Sequence, residues 1–406
     1  MNVNILSNIL TTLLNIVTPL IVIPIITSEL GISGYGLYYS NIAFVALICI
    51  LTDFGFNLYI PKAIATSNNK KAIISVINSF VSIKLLVLPV VLYITYLINN
   101  ESNEFLYSLS LFILFSILNV TPILTGLEKY KFVAFSAMIG KLIVIVSILG
   151  TDFSTLGVEK AILIQGIYQV FLFFTSILYL NRLGLIKFKI LFYESLLLLK
   201  ESSGYYFSKL FVNIYQQSSS YLVSLVLSME QVGIYSVALQ LYKVGQSMIG
   251  AVSKVLYTST MKTKDMCNIY KFTRLSIALY LIGLPVVIYL SEYILSLVLT
   301  VNLGQIVPLV NSFYISLVFV ILSSYFGYPS LVPIGKDNYA HIGLYISSLC
   351  YFVIILGFYV AFEINLIVFV AAIIIADFSA MLSRLYYCKK FGIFSFKNLL
   401  GINDNV

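Results

Sequence analysis

Tryptophan is missing from the 406 residues, histidine occurs once, and charged side chains make up only 10% of the chain. Each shortage excludes something. His341 alone rules out a histidine-rich metal site and leaves any histidine-based triad a single possible base. The four cysteines, Cys49, Cys267, Cys350 and Cys388, form no CxxC pair and show no spacing suited to a metal or a disulfide framework, so no cofactor is expected. So few charges, beside 60% hydrophobic residues and a mean hydropathy of +1.01, exclude an ordinary soluble domain. No basic segment precedes the first apolar run, Ile5 to Ser28, which is too long for a signal-peptide core and reads as an uncleaved first span.

What the chain does hold is a succession of apolar runs, near 5–28, 35–58, 72–98, 105–126, 131–150 and 156–180, then 203–228, 233–259, 272–299, 306–328, 338–362 and 364–387. Each is about the length of a bilayer-crossing helix, so an all-α polytopic membrane protein with twelve transmembrane helices is expected. Lysine and arginine fix the orientation. With the N-terminus inside, the cytoplasmic segments collect Lys62, Lys70, Lys71, Lys129, Lys131, Arg182 and most of the rest, Arg384 among them, whereas the outer segments hold only Lys160 and seven acids. Both termini are therefore expected in the cytoplasm. The net charge of +8 is topological, and no nucleic-acid partner is expected.

The chain also repeats itself. Gly36, Leu37 and Tyr38 open the second span, and Gly233, Ile234 and Tyr235 open the eighth, 197 positions later. After the fourth span of each half comes a short basic turn, Gly126 to Lys129 and then Gly335 to Asn338. An even number of spans per half makes the repeats parallel, so two pseudo-symmetric six-helix lobes around a central cavity are expected. The divisions are 1–180 for the N-lobe, 181–202 for a cytoplasmic amphipathic linker, 203–388 for the C-lobe and 389–406 for a cytoplasmic tail.

Polar residues within the spans mark the candidate site. Lys209, Asn213, Gln216, Gln217, Ser220 and Ser224 recur at spacings of three and four, which places them on one helical face. Lys243, Gln246, Gly250 and Lys254 form a similar stripe on the next span, and Asn4, Asn8, Thr11, Asn15 and Thr18 form one on the first. An ammonium near the bilayer centre costs about 2.5–3.5 kcal/mol, so such groups usually face a wet cavity or a partner. A cationic cavity is expected, with Lys209, Lys243 and Lys254 as its charges and with Asn15, Asn213, Gln216, Gln217 and Gln246 as hydrogen-bonding groups. Asp53, Lys84, Lys141 and Asp377 can pair with one another or couple transport to an ion. Tyr35, Tyr215 and Tyr242, beside the stripes, can stack on sugar rings. Pro19 and Pro24 can bend the first span.

Three stretches resemble a known family. ELGISGYGLY from Glu29 to Tyr38, LTDFGFNLYIPKAIA from Leu51 to Ala65 and EQVGIYSVALQLYKV from Glu230 to Val244 are similar to patterns of the Wzx-type O-antigen and polysaccharide flippases. These belong to the multidrug/oligosaccharidyl-lipid/polysaccharide (MOP) exporter superfamily. Lys62 stands where many relatives carry arginine, and the charge is kept.

The resemblance covers almost the whole chain. It implies a transporter, not an enzyme, that moves an undecaprenyl-pyrophosphate-linked oligosaccharide from the inner to the outer leaflet of a bacterial inner membrane by alternating access. Protons, sodium or the membrane potential would supply the drive. Partners would be membrane lipid, a polysaccharide polymerase and a chain-length regulator. The residues fit such a cargo, because ammonium groups attract a pyrophosphate and amides suit sugars. Two alternatives remain. A MATE-like multidrug antiporter would use acids to take cationic drugs, whereas this cavity reads as positive. A membrane-embedded polymerase or glycosyltransferase would need a large outer loop bearing catalytic residues, and no outer loop is expected to exceed about ten residues.

Overall fold

The computed structural model describes residues 2–67, 69–98, 102–187, 189–264, 266–299, 303–361 and 363–399, and the ordered elements among them are helices. The chain divides into two compact units, Met1–Leu222 and Val223–Val406.

In the first unit, α1 (Asn2–Leu51) is two helices joined at Gly31, whose φ of 70° and ψ of 177° lie outside the helical region. Only a residue without a Cβ adopts that conformation readily, so the turn between the first two spans needs a single residue. After α1 come α2 (Phe56–Ala65), α3 (Lys70–Ile98), α4 (Asn103–Ile117), α5 (Thr121–Gly126), α6 (Tyr130–Leu149), α7 (Phe153–Arg182) and α8 (Phe192–Ser224). α4 packs on α7, α1 packs on α6 and α7, and α2 packs on α3 and α5. Phe56, Ile60 and Ile64 of α2 are buried against Ile77, Phe80 and Ile83 of α3 and against Val120, Ile123 and Leu124.

The second unit contains α9 (Met229–Thr263), α10 (Cys267–Val298), α11 (Leu303–Tyr325), α12 (Tyr328–Leu331), a 3-10 turn at Val332–Ile334, α13 (Asp337–Ala361), α14 (Leu366–Lys390) and α15 (Phe396–Leu399). α9 starts with a capping box. The Ser228 hydroxyl accepts from the Gln231 amide, and the Gln231 side chain accepts from the Ser228 amide, so two otherwise orphaned donors are satisfied. α13 packs on α14, while α11 contacts α9, α10 and α14.

Among the described residues, nine helices are long and apolar enough to cross a membrane. The first, Ile16–Leu51, contains the Gly31 turn and supplies two spans. α8 and α9, at 33 and 35 residues, are long enough as well and miss that set because polar faces dilute their apolar content. Twelve spans result. The expected linker does not stand apart from the seventh span, because its second part, from Phe192, runs straight on into α8. The first unit ends at Leu222, inside α8, and α8 packs with that unit. The Ser195 hydroxyl donates to the Ser79 carbonyl, and Tyr221 lies 4.9 Å from Phe44 between ring centroids.

The fourth span of each unit is broken at a matching place. α4 stops at Ile117 and α5 restarts with Pro122 in its first turn, while α11 stops at Tyr325 and α12 restarts with Pro329. Both end in a residue of positive φ, Glu128 at 58° and Gly335 at 72°. Proline lacks a backbone N–H, so it suits a helix start, where that group has no partner to give up.

Candidate functional site

The second span is also broken, between the end of α1 at Leu51 and the start of α2 at Phe56. Phe54 and Gly55 are both left-handed, with φ of 50° and 81°. A Cβ at Gly55 would lie 2.5 Å from the Ser202 carbonyl oxygen and 2.7 Å from the Tyr206 nitrogen, so α8 passes directly over the break. An interrupted helix leaves carbonyls without intrahelical partners, and here side chains from elsewhere supply them. The Lys84 ammonium donates to the Thr52 carbonyl at 2.7 Å, and the Tyr206 hydroxyl donates to the Leu51 carbonyl at 3.1 Å. The Asp53 carboxylate accepts from the Asn57 side chain at 2.8 Å and from its backbone amide at 3.3 Å, which caps α2.

Two cavities flank the break. One, of about 250 Å³, is lined by Thr52, Asp53, Asn57, Lys84, Ser116, Asn119 and Gln169 among others. The second, of about 140 Å³, is lined by Tyr205, Tyr206, Leu210, Asn213 and Gln217 of α8. Ala46, Cys49, Asp53 and Asn57 form a wall common to both. Lys84 is only 5% exposed, sits 5.6 and 5.7 Å over the rings of Phe56 and Phe80, and lies in the field of Asp53. The acid and the ammonium balance each other.

At the lysine-rich end of α2, Tyr59 donates to the Glu201 carboxylate, and the Lys62 ammonium donates to the Tyr205 hydroxyl at 3.0 Å. Burial, then the hydrogen bond to Glu201, push the Tyr59 phenol up to about 12, so it remains a donor at physiological pH. The Tyr205 hydroxyl likewise holds Lys62 above its ordinary value. These contacts tie α8 to α2.

The second unit has its own buried polar cluster. Tyr242, stacked on Phe313 at 4.8 Å, donates to the Asp377 carboxylate. The Arg384 guanidinium bonds the Ser323 carbonyl at 2.9 Å and the Ser323 hydroxyl at 2.8 Å, and Asp377 lies in its field. Asp377 and Arg384 are 8% and 6% exposed. Arg384 was expected on the cytoplasmic rim; it points inward because Gly327 and Gly343 leave room beside it.

The expected site residues separate. Asn213, Gln217, Asp53 and Lys84 come together around the break. Gln216 turns to the Tyr215 hydroxyl, and Gln246 interacts with the Tyr242 hydroxyl. Lys243 is half-buried on α9, Lys254 is exposed on the same helix, and Lys141 is half-buried on α6. The side chains of Lys209 and Asn15 lie outside the described residues. Tyr35, Tyr215 and Tyr242 are buried and their faces are covered by the protein, which corrects the expectation that they stack on sugars. Asn57, Asn119, Gln169, Tyr206 and Arg384 were not singled out. A readable signal existed for Arg384, since it lies seven positions after Asp377 and so on the same helical face.

The model of the family described as "Polysaccharide biosynthesis protein" matches residues 2–257. No curated protein sequence matches significantly. Among solved structures, the chain is similar to the lipid II flippase MurJ in its inward closed conformation, with 18% identity, 98% of this chain and 90% of that chain covered, and a TM-score of 0.77. It is also similar to an inward-facing multidrug resistance MATE family transporter of the MOP superfamily, with 13% identity, 94% and 98% covered, and a TM-score of 0.66. At such identities the likeness is one of fold.

Proposed function

Because the chain belongs to the polysaccharide biosynthesis protein family, we propose that it is a flippase for an undecaprenyl-pyrophosphate-linked oligosaccharide, an O-antigen unit or a related repeat. It would carry this lipid from the cytoplasmic to the outer leaflet of a bacterial inner membrane by alternating access, with both its termini in the cytoplasm. Lys209, Lys243 and Lys254 attract the pyrophosphate, the polyprenyl tail stays in lipid, and Asn213 and Gln217 meet the saccharide. A polymerase and a chain-length regulator would receive the product. The proton, sodium or the membrane potential would drive the cycle.

The observation that carries this reading is the placing of charge. Among the described residues, half-buried Asp53 lies in the field of Lys84 and buried Asp377 in that of Arg384, each acid with a cation of its own unit. Lys243, half-buried on α9, belongs to neither pair. An excess ammonium suits an anionic headgroup. Neutralised acids give a cationic drug little to bind, which disfavours the multidrug antiporter.

Deletion of the gene in its host tests the proposal. Undecaprenyl-linked glycan is expected to accumulate on the cytoplasmic leaflet, and Lys243→Ala, expressed normally, is expected to reproduce that defect while Lys243→Arg relieves it. Absence of accumulation on deletion overturns the function. Full transport by Lys243→Ala overturns only the role of that lysine.

A further inference from the structure

Four features of the break in the second span point to one class of ligand, and none of them depends on the lysines of the second unit. The first is charge. Asp53 and Lys84 line the larger cavity together, so its walls carry an acid and a base in balance and offer no net attraction to a free anion or a free cation. The second is the density of amides. Asn57, Asn119, Gln169, Asn213 and Gln217 line the two chambers, and each carries both a donor and an acceptor. A ligand whose every polar group is itself donor and acceptor satisfies such a wall best, and a sugar hydroxyl is such a group.

The third feature is an unsatisfied group. The Ser116 hydroxyl is buried on the wall of the larger cavity and has no hydrogen-bond partner there. A buried hydroxyl left unpaired costs about 1–3 kcal/mol, and rotation of the Ser116 side chain toward the cavity would let a ligand hydroxyl recover it. The fourth is size and shape. Chambers of about 250 and 140 Å³ sharing one wall reach only the lower end of the ~300–1,000 Å³ typical of ligand sites, enough for a short saccharide but not for a polyprenyl chain. Tyr205 and Tyr206 line the smaller chamber from the α8 side.

The repeat sharpens the point. An offset of 197 sets Gly250 opposite Asp53, yet α9 runs unbroken through Gly250. The second unit thus has neither the acid nor the break. Interrupted membrane helices are retained where the freed backbone and its neighbours serve a site.

We propose that the two chambers on either side of residues 52–55 are a sugar-ring subsite, in which Asp53, Asn57, Asn213 and Gln217 hydrogen-bond the saccharide and Lys84 acts as the resident counter-ion that keeps the pocket neutral. This rests on the lipid-linked saccharide reading above and adds where the sugar is recognised.

Cys49, which lines both chambers, is a native reporter. The full-length protein in lipid nanodiscs is treated with a maleimide, and the Cys49 adduct is followed by peptide mass spectrometry in the presence of glucose, galactose, rhamnose, N-acetylglucosamine, N-acetylgalactosamine, inorganic pyrophosphate or tetraphenylphosphonium. At least one sugar is expected to protect Cys49, slowing its labelling about fourfold at about three times its Kd. Pyrophosphate and tetraphenylphosphonium leave the rate unchanged. Asn213→Ala and, separately, Gln217→Ala abolish the protection, whereas Glu292→Gln, exposed on α10, retains it. Protection by pyrophosphate or by the phosphonium, protection by no sugar in the panel, or failure of the maleimide to reach Cys49 overturns the proposal. Accumulation of lipid-linked glycan in the deletion strain is read separately, so the subsite can fail while the flippase stands.

Discussion

The Lys84 ammonium is bonded to the carbonyl oxygen of Thr52, 32 positions earlier in the chain, at 2.7 Å. One side chain therefore closes a gap in the hydrogen bonding of another helix and also faces the carboxylate next in sequence, Asp53. Lys84→Met removes both services. A loss of about 1–3 kcal/mol is expected, the cost of leaving the buried Thr52 carbonyl short of a partner. Thermal unfolding in detergent measures it. Adding Asp53→Asn to Lys84→Met is expected to restore part of the loss, with a coupling of about 0.5–3 kcal/mol. Strict additivity of the two changes would show that the charges do not interact.

Gly55 and Gly335 separate strain from collision. Both have positive φ, 81° and 72°, but a Cβ at Gly335 meets nothing within 4 Å, whereas one at Gly55 strikes the backbone of α8. Gly335→Ala is expected to lower stability by only about 1–2 kcal/mol, the usual penalty of a left-handed alanine. Gly55→Ala should exceed that clearly and should also lower the yield of folded protein. Equal melting temperatures for the two variants would contradict the close approach of α8 to the break.

Tyr242→Phe keeps the ring stacked on Phe313 and deletes the donor to Asp377. A destabilisation of about 1–3 kcal/mol is expected from leaving a buried acceptor short of a partner. In a double-mutant cycle with Asp377→Asn, the two losses should sum to more than the loss of the pair.

Ser228→Ala tests the start of α9. It removes half of the capping box, and a loss of about 1 kcal/mol is expected. In a unit of this size that is a fall of roughly 2–4 °C in melting temperature. Ser228→Asp is expected to hold the wild-type value, since its carboxylate can cap the same amide.

Much of the fold was legible because a bilayer imposes its own rule, that every buried backbone group be paired within a segment. Long apolar runs then mean helices, and the doubled Gly-x-Tyr openings revealed the repeat. The helix break at 52–55 was not legible, because Thr-Asp-Phe-Gly is locally an ordinary helix end. What keeps it open within the membrane is Lys84 on α3 and Tyr206 on α8, both distant in sequence. Helical periodicity set Asn213 and Gln217 on one face, yet the neighbours of that face, Asp53 and Asn57, follow from tertiary packing alone. The same limit misled the reading of Tyr242, which polar stripes placed at a surface and which Asp377 draws inside.

The paired interruptions of the fourth spans have been mended by different means. Beside Pro329, the Arg384 guanidinium and the Cys388 thiol take up the carbonyls of Ser323 and Phe326, while beside Pro122 the Asn119 side chain caps the restart by accepting from Thr121. The halves have thus lost their interchangeability at this joint. A chimera built by grafting one half's fourth segment into the other would arrive without its splint, and engineers who treat the protein as a tandem copy would need to transplant the brace along with the bend.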